Sequence, residues 1–177
     1  VGSVNVYKRQ VDIGLKAALT GHLVFSTLYT NDAPSTITRL QNMGTPDYLI
    51  SAACQLVLAQ RLARRTCKDC RVPDDDVNPK VLQDLGFTAE LASRVKALKG
   101  KGCPKCKDTG YKGRQGLYEI LVVSKPVKEA ILRKATTPEL REIAVKEGFQ
   151  TMQDMGRRLI ANGELNFREY ERVLTTS

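Results

Sequence analysis

Two Cys-x-x-Cys pairs constrain the fold of this chain more than any other feature of its sequence. The first pair is Cys67 and Cys70, the second is Cys103 and Cys106, and residues 71–102 separate them. Four thiolates in two short loops suit tetrahedral zinc, because each loop places two sulfurs about 2.3 Å from one ion. Such a site has no open coordination position, so the sequence predicts a structural zinc ion rather than a catalytic one.

Disulfide formation and redox chemistry are the other uses of paired cysteines. The sequence has neither a signal-peptide pattern nor an apolar run long enough to span a membrane, so we expect a cytoplasmic chain, in which disulfides are rare. Redox catalysis needs one pair near a nucleophile, and iron–sulfur clusters usually show other spacings. Cys54 lies outside both pairs, and we expect it to be a small buried residue rather than a ligand.

The apolar pattern predicts an α/β fold. A short helix at residues 11–19, followed by a buried strand at His22–Leu28, indicates a parallel sheet covered by helices. A second strand is predicted at residues 113–123. The other predicted helices span residues 34–43, 46–65, 78–98, 124–134, 138–147, 151–162 and 166–174.

The net charge of +9 suggests an anionic partner. The basic residues are spread along the chain instead of forming one patch, and only 6% of the residues are aromatic, which leaves few platforms on which bases could stack. A basic zinc-knuckle module that binds nucleic acid is nevertheless the alternative reading of the cysteines and the charge. Such a module would bind DNA with a steep dependence on salt.

Longer sequence motifs resemble a known family. Residues 20–33 read TGHLVFSTLYTNDA and closely resemble the histidine box of the secretion and pilus-assembly ATPases, which power type II secretion and type IV pilus extension. The resemblance covers about residues 10–177. It includes Thr38-Arg39-Leu40, Gln60-Arg61-Leu62, both cysteine pairs and residues 109–119. Because retraction members of this family lack the cysteine insert, the cysteines favour the secretion and extension branch.

The resemblance implies a partial RecA-like parallel sheet core with an inserted tetracysteine zinc subdomain and a C-terminal helical bundle. Residues 1–66 would be the C-terminal part of the ATPase core, residues 67–106 the zinc subdomain, residues 107–123 a returning strand and loop of the core, and residues 124–177 the helical subdomain. In such proteins a cytoplasmic homohexamer hydrolyses ATP with Mg²⁺. Its motion passes to cytoplasmic parts of inner-membrane platform proteins, which hold it at the membrane, and no nucleic acid is expected as a partner.

The phosphate-binding loop of this family, Gly-x-x-x-x-Gly-Lys-Ser/Thr, does not occur in the sequence. The acidic box and the Walker B acid that the family carries upstream are also missing, and residues 1–9 fit the family poorly. The sequence begins with Val1 rather than with Met. We therefore expect a C-terminal fragment of a longer ATPase that does not turn over ATP by itself.

The resemblance also implies roles for individual side chains. For His22 it implies nucleotide sensing or the positioning of catalytic groups, against a structural, hydrogen-bonded histidine. Arg114 lies in a glycine-flanked loop, residues 113–116, and is either a nucleotide contact or a surface charge. Tyr29 replaces a second histidine of the family, and a tyrosine hydroxyl can donate or accept a hydrogen bond but cannot supply the charge of a second imidazole. Arg61 is expected to pair with a carboxylate or to stabilise a subunit interface.

Overall fold

The computed structural model describes residues 2–175, with side chains from Lys8 onward. The described residues form two compact units. The first comprises the residues up to Ala59 together with Glu119–Gln150, and the second comprises Gln60–Tyr118 together with the residues from Thr151 on. The helices and strands of the described residues are α1 (Gly2–Leu19), α2 (Ala33–Asn42), α3 (Asp47–Ala53), β1 (Leu56–Thr66), β2 (Arg71–Pro73), α4 (Pro79–Asp84), α5 (Ala89–Arg94), β3 (Leu98–Gly100), β4 (Tyr111–Val122), α6 (Lys125–Leu132), α7 (Thr137–Lys146), α8 (Met152–Ala161) and α9 (Phe167–Leu174).

The described strands form two small sheets, β1 with β4 and β2 with β3. At one end of the first sheet the amide of Val123 donates to the carbonyl of Gln55, and at the other end the amide of Cys67 donates to the carbonyl of Gly110. Pairing of the start of one strand with the end of the other makes β1 and β4 antiparallel. Residues 2–175 therefore have a mixed α/β fold with small antiparallel sheets, and the predicted parallel sheet is not found among them. Strand β4 confirms the strand predicted at residues 113–123.

The prediction of a buried strand at His22–Leu28 is wrong. These residues have no regular secondary structure, and the side chains of Leu23 and Phe25 are 84% and 87% exposed. A strand needs a neighbour to satisfy its amide and carbonyl groups. No segment among residues 2–175 pairs with this one, so its apolar composition alone does not make it a strand.

The long helix predicted at residues 46–65 is also wrong. The helix ends at Ala53, Cys54 caps it in an extended conformation, and the chain continues as β1. The predicted helical face placed Val57 and Leu58 together, but in the strand they point to opposite sides, and Leu58 is 51% exposed. Pairing with β4 decides the outcome, because it gives β1 backbone hydrogen bonds to a segment that is distant in the sequence. Cys54 is half-buried, and burial raises the pKa of its thiol.

The single helix predicted at residues 78–98 is two short helices, α4 and α5. Gly86 separates them with a φ of +92°, a left-handed conformation that a glycine adopts without steric cost. The side chain of Thr88 then accepts a hydrogen bond from the amide of Leu91 and starts α5. The residues after α5 extend into β3, which pairs antiparallel with β2.

The predicted C-terminal helices are confirmed as α6 to α9, and α2 confirms the helix predicted at residues 34–43. The helix predicted at residues 11–19 is the second half of α1, which begins earlier, at Gly2. Capping explains their bounds. Thr136 and Thr151 form capping boxes at the starts of α7 and α8. Gly148 and Gly163 follow the ends of these two helices with positive φ values of 90° and 69°. Among residues 2–175, no helix is long and apolar enough to cross a membrane.

The first unit is mostly helical. In it α3 packs against α1 and α6, and α7 packs against α2 and α6. A buried carboxylate, Glu119 of β4, accepts a hydrogen bond of 2.6 Å from the amide of Ala33 at the start of α2. Its core contains fully buried aliphatic side chains, each of which contributes about 1.5–3 kcal/mol: Ile37, Ile50, Leu121, Val127, Ile131 and Leu140.

The second unit holds both cysteine pairs. It contains β2 with β3, α4 packed on α5, and α8 packed on α9. The two C-terminal helices approach closely at Gly156, where an added Cβ would lie 2.7 Å from the ring of Tyr170. Leu117, Ile160 and Leu165 are buried in this unit, together with the carboxylate of Glu169.

Candidate metal centre

The four cysteines predicted to bind metal lie together. Their sulfur atoms are all within 4.8 Å of one another. Cys67 and Cys103 are 3.9 Å apart, Cys70 and Cys106 are 3.9 Å apart, and Cys103 and Cys106 are 3.7 Å apart, each measured between Sγ atoms. Zinc–sulfur distances of about 2.3 Å in a tetrahedron correspond to sulfur–sulfur distances of about 3.8 Å. The cluster could therefore hold one metal ion.

Strand pairing brings the two cysteine pairs together. Cys67 follows β1, Cys70 precedes β2, and the second pair lies at a 3₁₀ turn over Pro104–Cys106. Within the β2–β3 ladder, Arg71 pairs with Gly100. The ladder thus returns the chain to the first pair after α4 and α5, which explains how pairs so distant in sequence form one cluster.

Two glycines allow two backbone segments next to the cysteine cluster to approach each other closely. A Cβ added to Gly100 would lie 2.0 Å from the carbonyl oxygen of Gly110, and a Cβ added to Gly110 would lie 2.5 Å from the carbonyl oxygen of Gly100. No real side chain tolerates such distances. Gly110 also adopts a φ of +76°, so both its conformation and its surroundings require glycine.

Backbone amides point at one of the sulfurs. The amides of Cys103 and Gly110 donate to Cys106 Sγ at 3.2 Å and 3.3 Å. Burial acts to raise the pKa of the Cys106 thiol, but these donors and the neighbouring sulfurs lower it to about 7. For Cys70, burial is the main cause of a pKa raised to about 12. Metal binding must therefore displace protons from part of the cluster.

A salt bridge that was not predicted from the sequence connects the loops of the two cysteine pairs. Lys105 Nζ lies 2.6 Å from Asp69 Oδ1, and this hydrogen bond is the main cause that lowers the pKa of Asp69. The signal was present in the sequence. Asp69 directly precedes the second cysteine of the first pair and Lys105 directly precedes that of the second pair, so two similar loops facing one ion place opposite charges side by side.

His22 lies in the first unit, directly after the turn that ends α1. Its side chain is exposed, and Nδ1 is 3.0 Å from the hydroxyl oxygen of Thr20. Tyr29, in the same irregular segment, is 98% exposed. His22, the first residue of the strand predicted at His22–Leu28, is therefore not at the start of a strand, because that strand does not form.

Arg114 lies in the second unit on β4 rather than in a loop, since the strand runs without interruption through residues 113–116. Its side chain is exposed, and no hydrogen bond or ion pair to it is found among the side chains that the structure describes. Arg61 lies on β1, and its guanidinium donates to the carbonyl of Val173 in α9.

Comparison with known proteins extends over almost the whole chain. Residues 7–172 match the family described as Type II/IV secretion system protein. That range includes the four cysteines, His22 and Arg114. The chain is 40% identical over 158 residues to the type IV pilus assembly ATPase PilB of Myxococcus xanthus, covering 89% of this chain and 28% of that protein.

Two further relatives are also similar to this chain over most of its length. The type IV pilus assembly ATPase PilB of Thermus thermophilus is 44% identical over 144 residues, covering 81% of this chain and 16% of the relative. The type II secretion system protein HxcR of Pseudomonas aeruginosa is 38% identical over 161 residues, covering 91% of this chain and 30% of the relative. This chain spans less than a third of the length of each of these three relatives. Since the family match takes in both units and the cysteine cluster, the chain belongs to the Type II/IV secretion system protein family.

Proposed function

We propose that this chain is part of an ATPase that powers type II protein secretion or type IV pilus assembly. The observation that carries the proposal is the similarity to ATPases named for these two systems, at 38–44% identity over most of the chain. The four-cysteine cluster fits the secretion and extension branch of the family. The whole ATPase, of which this chain is one part, would bind ATP with Mg²⁺ in a RecA-like core and work as a homohexamer.

The proposed domain organisation follows the resemblance. Residues 1–66 and 107–123 belong to the ATPase core, residues 67–106 form the zinc subdomain, and residues 124–177 form the helical subdomain. The assembly works in the cytoplasm against the cytoplasmic parts of inner-membrane platform proteins.

We further propose that the metal in the cluster is zinc. The donor set supports this choice, because four cysteine sulfurs at tetrahedral spacing favour Zn²⁺ over cations that prefer oxygen. Cys67, Cys70, Cys103 and Cys106 would hold the ion. It would act as a cross-link between two loops and take no part in hydrolysis, since four sulfurs leave it no open position.

For His22 we propose nucleotide sensing, and for Arg114, separately, a contact to a nucleotide. Both side chains are exposed, so a ligand can reach them. A guanidinium can clamp phosphate through two hydrogen bonds or stack on adenine, and His22 Nε2 can contact a phosphate while Nδ1 faces Thr20.

A pair of chimeric proteins tests the proposed function. In one, this chain replaces the matched segment of the Myxococcus xanthus ATPase, and in the other it replaces that of the Pseudomonas aeruginosa protein. We expect one chimera to restore pilus assembly, or the other to restore secretion, in a strain lacking the resident gene. The same chimeras with Cys103→Ser serve as controls and should fail. Two chimeras that accumulate normally, bind zinc and restore neither process would contradict the proposal.

The 177-residue chain alone is expected to hydrolyse no ATP, because its sequence lacks the loop whose amides and lysine hold the phosphates. Phosphate release from ATP and Mg²⁺ should equal the rate of a buffer blank. The longer chimeras, assayed in the same way, provide the positive control. Turnover that follows this chain through several purification steps would show that another part of it binds the phosphates.

A further inference from the structure

We infer that Glu169 of α9 is a positioning residue for the metal centre, and that it acts through the ends of the two strands that lead to and from the cysteine pairs. The inference rests on the proposed metal binding. It concerns residues that are distant from the cysteines in sequence and do not contact the sulfurs.

The carboxylate of Glu169 is completely buried and receives five hydrogen bonds. The amide of Arg64 donates at 2.7 Å and its guanidinium at 3.0 Å and 2.8 Å. The guanidinium of Arg172 donates at 2.9 Å and 2.5 Å. Burial acts to raise the pKa of Glu169, but these donors outweigh it and lower the pKa to about 2. The side chain is therefore a charged anchor, and it holds the backbone of β1 as well as two side chains.

The same anchor reaches β4. The guanidinium of Arg64 lies over the ring of Tyr111, 4.1 Å from its centre. The Tyr111 hydroxyl accepts a hydrogen bond of 2.9 Å from the side-chain amide of Asn166. Asn166 in turn caps α9, because its side-chain oxygen Oδ1 accepts a hydrogen bond of 2.8 Å from the backbone amide of Glu169. These contacts form a closed ring that joins the end of β1, the start of β4 and the first turn of α9.

Both strand ends lead directly to the metal ligands. Thr66, two residues after Arg64, donates its amide to the carbonyl of Glu164 at 2.9 Å, and Cys67 comes next. Gly110 directly precedes Tyr111. Its carbonyl accepts from the amide of Cys67 at 2.9 Å, and its amide donates to Cys106 Sγ.

The position of β1 relative to β4 therefore sets the position of Cys67 relative to Cys106. Glu169 holds the two strands in the arrangement that brings sulfurs of both pairs together before an ion arrives. Groups that orient metal ligands typically change metal affinity by about 10- to 100-fold when they are substituted. Because such coupling is reciprocal, the bound ion should also hold α9 in place.

Glu169→Gln tests the inference, since it keeps the shape of the side chain and removes its charge. Zinc affinity is measured by competition with a chelator, and zinc release is followed with a chromogenic chelator. We expect binding to weaken by about 10- to 100-fold, mainly through faster release. Hydrogen exchange of the α9 amides, with and without zinc, is the second readout. The ion should slow exchange in the wild-type chain and do so less in the variant.

Three variants serve as controls and as a second test. Glu171→Gln removes an exposed carboxylate from the same helix and should leave zinc release unchanged. Ile160 is a buried aliphatic residue of the same unit that makes none of the hydrogen bonds described above, so Ile160→Ala opens a cavity and should lower stability with little effect on zinc affinity. Arg172→Gln removes two of the five hydrogen bonds and should weaken zinc binding less than Glu169→Gln does, which keeps the test open if the latter fails to fold.

Unchanged zinc affinity in both Glu169→Gln and Arg172→Gln would overturn the inference. The inference would also be overturned if Ile160→Ala lost as much zinc affinity as Glu169→Gln does, because zinc affinity would then depend only on the stability of the unit. A wild-type chain that binds no zinc would instead refute the proposed metal, a result that is visible before any variant is made.

Discussion

Cys103→Ser is expected to release the metal ion and to unfold residues 67–106. Cys103 Sγ contacts sulfurs of both pairs, at 3.9 Å from Cys67 and 3.7 Å from Cys106, so its removal leaves three thiolates that no longer enclose an ion. Structural zinc supplies folding free energy on the order of 10 kcal/mol in small sites. The short helices α4 and α5, of six residues each, are too short to persist without that support.

Elemental analysis measures the first effect and amide NMR spectra measure the second. The wild-type chain should hold about one zinc per chain, and Cys103→Ser close to none. Cys54→Ser is the matched control, because Cys54 is a free cysteine outside the cluster, and its zinc content should equal that of the wild type. An unchanged zinc content in Cys103→Ser would refute the assignment of this residue as a ligand.

Gly100→Ala is expected to have the second largest effect on stability and on zinc binding. The added Cβ would lie 2.0 Å from the carbonyl oxygen of Gly110, and because that atom belongs to the backbone, no side-chain rotation relieves the clash. Gly110 must move, although its amide donates to Cys106 Sγ and its carbonyl accepts from Cys67. We expect a loss of at least about 3 kcal/mol of stability, the upper part of the range for overpacking, together with weaker zinc binding.

Gly113→Ala separates the clash from backbone strain. Gly113 has a φ of +79°, but nothing lies within 4 Å of its added Cβ, so this substitution costs only about 1–2 kcal/mol for the left-handed conformation. Thermal unfolding and chelator competition, measured on both variants, give the comparison. Equal losses in the two variants would show that the crossing of the backbone at Gly100 does not matter to the centre.

Local signals in the sequence were sufficient wherever the structure depends on neighbouring residues. The cysteine pairs predicted the ligand set because each pair lies within one loop. The helices predicted at residues 124–134, 138–147, 151–162 and 166–174 match α6 to α9, because helical periodicity and helix-ending glycines act over a few neighbouring residues. The prediction from local pattern was wrong at residues 46–65. Their apolar pattern is compatible with a helix, but residues 56–66 form β1 because β4, which is distant in the sequence, pairs with them.

In the cysteine cluster, too, contacts between neighbouring residues were predictable and contacts between distant segments were not. Asp69 and Lys105 could have been paired from their equivalent places before the second cysteine of each pair. By contrast, Glu169 carried no such sign, because an acid in an amphipathic helix is ordinarily exposed, and its partner Arg64 lies 105 residues away in the chain. Only the packing of α9 against the strand ends turns this residue into a buried anchor.

The sequence by itself determined the family, the four cysteines of the cluster and the bounds of the C-terminal helices, because motifs and helix ends depend on residues that are neighbours in the chain. The tertiary structure alone decided that residues 22–28 remain irregular, that β1 replaces half of a predicted helix, and that Glu169 holds the strands beneath the cluster. Each of these depends on whether a distant segment supplies a hydrogen-bond partner, and hydropathy and spacing do not encode such a partner.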